Sequence, residues 1–157
     1  LEADAASVTF SSLGSYEHLE LRISARTDDT DNNDMVRINF NSDTGANYSR
    51  HYMRGYGSST QGGADTAQTY SRGGWIPGTT IDAAEYGTTI VDILDYRNAS
   101  KNTTLSWLVG SAIDANIYFV SGMWDSTAAV TSIAMTPHQG TNFVRGSEFT
   151  LYGLNSS

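Results

Sequence analysis

The chain has 157 residues and a net charge of −8, with 17% charged and 39% hydrophobic residues and no cysteine, and its isoelectric point is near 4.6. These figures exclude disulfides and thiolate metal centres, argue against nucleic-acid binding through a basic field, and fit one domain, 1–157, better than two. No run approaches the about 18 apolar residues of a membrane-spanning helix, so neither nucleic acid nor membrane is expected as a partner. The chain opens LEADAAS, with no initiator methionine and no signal peptide, and a short upstream segment is expected.

Taken in chain order, the elements read as strands. SVTFSS (7–12) alternates Val8 and Phe10. HLELRISART (18–27) sets Leu19, Leu21, Ile23 and Ala25 on one face and Glu20, Arg22, Ser24 and Arg26 on the other, a half-buried strand. MVRINF (35–40) places Val36, Ile38 and Phe40 opposite Met35, Arg37 and Asn39, and SDTG (42–45) is a turn. NYSRHYMRGYG (47–57) then puts Tyr48, Arg50, Tyr52, Arg54 and Tyr56 on one face. Residues 57 to 88, with two glycine pairs and a proline, read as long loops around one or two short edge strands. TTIVDILDY (88–96) is continuous enough for a central strand covered on both faces. TLSWLVGSA (104–112), ANIYFVSGMW (115–124), VTSIAMTP (130–137) and EFTLYGL (148–154) complete the set. About ten strands and no certain helix predict an all-β, single-domain antiparallel sandwich, with a jelly roll as the favoured form.

No residues assemble into a recognisable catalytic set. The loop DDTDNND (Asp28–Asp34) has Asp29, Asp31 and Asn33 at alternating positions but lacks the glycine and the terminal glutamate of an EF-hand, so a solvated turn is favoured over a calcium site of another kind and no metal is assigned. His18, His51 and His138 have no metal-pair spacing. There is no nucleophile elbow and no phosphate-binding loop. Asp92 and Asp95 read as salt-bridge partners of Arg37 or Arg97, rather than as a glycosidase pair. No cofactor is implied.

The aromatic residues carry the richer signal. Trp107 and Trp124 fall inside strand patterns and are expected in the core, whereas Trp75, between Gly-Gly and Ile-Pro-Gly, is placed in a loop as a candidate glycan contact. The stripe Tyr48, Arg50, Tyr52, Arg54, Tyr56 has three readings: a core strand with hydroxyls at its edge, a subunit interface rich in Tyr and Arg anchors, or a glycan platform. A subunit or partner interface is the expectation for this stripe.

Taken together, SVTFSSLGSYEHLELRISARTDD, RINFNSDTGANYSRHYM, IVDILDYRNASKNTTL and MWDSTAAVTSIAMTP…GTNFVRGSEFTLYGL resemble a family of small tailed-bacteriophage virion structural proteins. The resemblance runs from Ala6 to Leu154 and is weakest between Gly57 and Thr88. It implies a non-enzymatic β-sandwich on the virion exterior, as a capsid decoration or cement protein on the head shell or as a part of a tail fibre. The implied partners are further copies of itself, a homotrimer favoured, and the major capsid protein or another virion protein. A fibre module would instead recognise a host surface glycan.

Overall fold

The computed structural model describes residues 1–112 and 115–155, and among them it has eleven strands and no α-helix. The strands are β1 (Val8–Ser11), β2 (His18–Ala25), β3 (Asn33–Phe40), β4 (Tyr48–Tyr56), β5 (Ser59–Gln68), β6 (Ser71–Pro77), β7 (Gly87–Leu94), β8 (Thr103–Ser111), β9 (Asn116–Trp124), β10 (Ser132–Pro137) and β11 (Glu148–Leu154). They form a four-stranded sheet in the order β1-β10-β3-β6 and a seven-stranded sheet in the order β11-β2-β7-β8-β9-β4-β5. All the pairings are antiparallel.

The two sheets form a sandwich, as the alternation in the sequence predicts. β4–β5, β7–β8 and β8–β9 are hairpins within the larger sheet, and every other connection carries the chain from one sheet to the other. This interleaving is of the jelly-roll type, with the β8–β9 hairpin inserted between β7 and β4. The core lies between the sheets. Leu19, Leu21 and Ile23 of β2, Val91 and Ile93 of β7, Leu105 and Trp107 of β8, and Val120 and Trp124 of β9 meet Val36, Ile38 and Phe40 of β3 and Ile133 and Met135 of β10. Each such side chain contributes about 1.5–3 kcal/mol by leaving water. Trp107 and Trp124 are therefore in the core, as expected.

Two expectations need correction. Residues 57 to 88 are not mainly loop: β5 is a ten-residue strand and β6 a seven-residue strand, although each does lie at a sheet edge. The glycines that suggest loops serve close packing instead. A Cβ on Gly73 would lie 2.6 Å from Trp107 Cε3, and one on Gly74 would run into the Tyr118 ring. Only glycine lets the β6 backbone rest directly on those two rings. The second correction concerns β7, which is central but open on one face. Thr88 and Leu94 are exposed and Ile90 is half-buried, while Thr89, Val91 and Ile93 face the core. The apolar run reads as continuous because Ile90 and Leu94 lie on the outer face, with Thr88 and Asp92.

Gly74→Ala and Gly73→Ala are expected to destabilise the fold by about 1–3 kcal/mol each through overpacking. Gly110→Ala, where an added Cβ meets nothing within 4 Å, should leave stability unchanged. Urea unfolding of the three variants checks this.

Candidate functional site

The tyrosine–arginine stripe faces inward and runs from the core to the rim of the sandwich. Tyr48 is buried at 1% exposure, packs on Phe40 and stacks with Trp124, and its hydroxyl accepts from the Phe40 N–H. Burial pushes its phenol up to about 12. Arg50 is also buried. Its Nε donates to Asp65 Oδ2 at 2.6 Å, and its Nη1 donates to the carbonyls of Arg72 and Gly73 on β6. The sequence reading places this stripe at a subunit contact. The structure engages Tyr48 and Arg50 within the chain, because β4 turns this face toward β6. Of the five residues, Tyr56 alone is exposed.

Local geometry explains the Arg50–Asp65 pair. Tyr48 lies opposite Gln68, and two residues on Arg50 lies opposite Asp65, so β5 carries one extra residue in a bulge. Ala67 in that bulge takes a φ of 53°, a left-handed conformation that costs a non-glycine residue about 1–2 kcal/mol. The bulge shifts Asp65 into register with Arg50. Burial pushes the Asp65 carboxyl upward, but the hydrogen bonds from Arg50 and then Arg72, with their charges, outweigh it. The group sits below the ordinary carboxylate value.

Trp75 lies in β6 rather than in a loop, and the structure brings it to the stripe. Its ring centroid is 6.2 Å from that of Tyr56 and 5.9 Å from that of Tyr118, both edge-on. The Arg54 guanidinium lies among all three rings, 4.4 Å from Trp75, 4.8 Å from Tyr56 and 5.6 Å from Tyr118. Arg54 Nη1 also donates to the Tyr118 hydroxyl. Trp75 is half-buried and packs against the core cluster, so one edge of its ring is left at the rim.

The remaining candidates disperse. In the acidic loop, Asp28 accepts from the backbone N–H groups of Thr141 and Asn142, and Asp34 accepts from those of Met35, Gln139 and Gly140. These carboxylates tie the 139–142 loop to the 28–34 segment. Among the described residues, Glu17, His18 and Asp95 are the one trio close enough to share a cation, but Asp95 is already paired with Lys101 and its backbone N–H donates to His18 Nδ1. Asp95 thus pairs with Lys101, not Arg97, while Asp92 accepts from the Ser106 hydroxyl and Arg37 turns to His138. His51 is exposed on the outer face of β4.

That outer face holds residues the sequence reading passed over. Met53 of β4, Phe119 of β9, Leu108 of β8 and Ile90 of β7 are successive cross-strand partners, and Gly55, Ile117, Gly110 and Thr88 form the next row. Met53 is 63% exposed, Ile117 56%, Phe119 54% and Leu108 45%. Neither row holds an ionisable side chain. Between them, around Gly110, is a shallow hollow of about 200 Å³ lined by Thr88, Ile90, Leu108 and Ile117. Contiguous apolar patches on a monomer's surface are often functional. The available signal was β9 itself: Ile117, Tyr118, Phe119 and Val120 are large on both faces of one strand.

No protein-family model matches the chain, and no curated protein is significantly similar to it.

The pH dependence of stability follows from the depressed carboxyls. Asp28, Asp43 and Asp65 all titrate below the ordinary value in the folded protein. Their contribution is therefore complete above about pH 4, the unfolded value, and is lost as pH falls through the folded values. Asp65→Asn should lower stability at pH 7 by on the order of 2 kcal/mol, because it strands the buried Arg50 charge, and should make the acid limb shallower. Chemical denaturation from pH 7 to pH 2.5 measures both.

Proposed function

We propose that the protein is a non-enzymatic structural component of a tailed-phage virion exterior, a decoration protein that binds the assembled head shell as a homo-oligomer, a trimer in the favoured case. The observation that supports a role in assembly is the uncharged apolar face built by Met53, Phe119, Leu108, Ile90 and Ile117 on the larger sheet. In a chain of net charge −8, copies repel one another over most approaches, and this face is where large apolar groups meet with no ionised group between them. The row beside it, His51, Ser121, Ser106 and Asp92, supplies the polar rim that surrounds the apolar centre of a protein interface. A stable contact needs about 800 Å² per partner, so the patch would have to be joined by its polar rim. The virion setting rests on the sequence resemblance. A protein that binds only the assembled lattice stabilises it by mass action.

A second reading, a fibre module that touches host glycans, is favoured by the outer end of the stripe. There Tyr56 is exposed beside Trp75, and aromatic faces stack on sugar rings.

Quantitative mass spectrometry of purified virions against the major shell protein tests both. Hundreds of copies per particle, near one per lattice site, are expected of a decoration protein. A handful would move the assignment to the fibre, and none would end the virion reading.

A further inference from the structure

Arg37 of β3 and Arg72 of β6 lie directly opposite each other across the strand pair. Like charges so placed destabilise a sheet unless something offsets them. His138, just past β10, stands between them. Arg37 Nε donates to His138 Nδ1 at 2.9 Å, and Arg72 Nη1 lies 3.1 Å from His138 Nε2. One imidazole cannot serve both. A neutral ring has one acceptor nitrogen and one N–H, a protonated ring has two N–H groups, and a guanidinium offers only donors. In every protonation state at least one of these contacts sets N–H against N–H.

The shortage of acceptors extends through the cluster. Arg72 Nε is buried and has no acceptor. The Asp65 carboxylate gives a single oxygen, Oδ2, to both Arg50 Nε and Arg72 Nη2. Arg37 contacts no carboxylate among the described residues: its other partners are the His138 carbonyl and the face of Tyr70, 4.5 Å from the guanidinium. Asp34 acts on His138 through its charge, but its oxygens are engaged by the backbone N–H groups of Met35, Gln139 and Gly140. Buried donors without acceptors are costly, about 1–3 kcal/mol each. Arg37, Arg72, His138 and Tyr70 are each half-buried, so the cluster keeps some contact with solvent.

We infer that Arg37, Arg72 and His138, flanked by Tyr70, form a binding site for an oxyanion, a carboxylate, sulfate or phosphate group whose oxygens supply the missing acceptors. Such a group reaches the site as a free inorganic ion or as the acid function of a sugar ring. Tyr70, whose ring centroid is 5.6 Å from that of His138, gives the second an aromatic wall. The site is distinct from the apolar sheet face and stands whether or not the protein belongs to a virion.

His138 reports occupancy. Burial, then the charges of Arg37 and Arg72, hold its pKa below the ordinary histidine value, with Asp34 opposing and Arg50 adding to the effect. An anion against the ring adds negative charge and raises that pKa, so binding strengthens as pH falls through it.

The test is an NMR titration of His138 in the full chain, in chloride and then in sulfate, glucuronate or chloride plus glucose at matched ionic strength, with His18 and His51 as internal controls. The expected result is a rise in the His138 pKa of about one unit, equivalent to about a tenfold preference for the protonated ring, in sulfate or glucuronate and not with glucose. A response to sulfate alone assigns an inorganic ion, and one to glucuronate a sugar acid. Arg72→Gln should abolish the rise. Arg37→Gln, on the outer face of the sheet, carries the same test should the first variant fail to fold. An unchanged His138 in both anions, an equal shift with glucose, or a rise that persists in a folded Arg37→Gln variant would overturn the site.

Discussion

A guanidinium in a protein interior needs acceptors for its donors, and Arg50, with 7% of its side chain exposed, obtains them from two neighbouring strands at once. It rises from β4 in the larger sheet, pairs with Asp65 on β5, and donates to two carbonyls of β6 in the smaller sheet. β5 and β6 are the edge strands of the two sheets, so this one side chain fastens the open side of the sandwich. The surrounding structure follows from that requirement. The bulge at Ala67 brings Asp65 into register, and the glycine pair of β6 lets its backbone settle onto Trp107 and Tyr118 so that its carbonyls come within reach. Arg54 extends the same seam outward, held by three aromatic rings rather than by a carboxylate.

With the polar and aromatic face of β4 committed to the seam, its opposite face is left to solvent. Ser49, His51 and Met53 point outward there, and Met53 begins the apolar row that crosses β9, β8 and β7. The larger sheet is thus apolar on both sides over its middle strands. One side is satisfied by the smaller sheet. Among the described residues nothing covers the other, where Met53, Phe119, Leu108 and Ile117 are exposed.

The all-β class, the sandwich and most strands were legible in the sequence because alternation is local: Leu19, Leu21 and Ile23 declare an inner face without reference to anything distant. The seam was not legible in the same way. Alternation correctly put Tyr48, Arg50 and Arg54 on one face, but which sheet that face meets depends on crossovers that no local pattern encodes. Gly73 and Gly74 read as loop signals because the rings they accommodate, Trp107 and Tyr118, lie some 30 to 45 residues further on. Asp95 and Lys101 found each other across a turn, whereas Arg37 was claimed by His138, about a hundred residues away. Trp75 stood out in the sequence as a loop aromatic, and its strand setting was hidden by the same glycines.

One strand has two faces of opposite fate, the Tyr–Arg face closed within the chain and the Met53 face left exposed, where the proposed contact between copies would form. Hydroxyl-radical footprinting of the purified protein, read by mass spectrometry at low and high protein concentration, measures both faces together. Met53 should be labelled in the dilute protein and protected as concentration rises, while Tyr48 stays unlabelled throughout. Tyr48 labelled in the dilute protein, or Met53 equally reactive at both concentrations, would contradict the account.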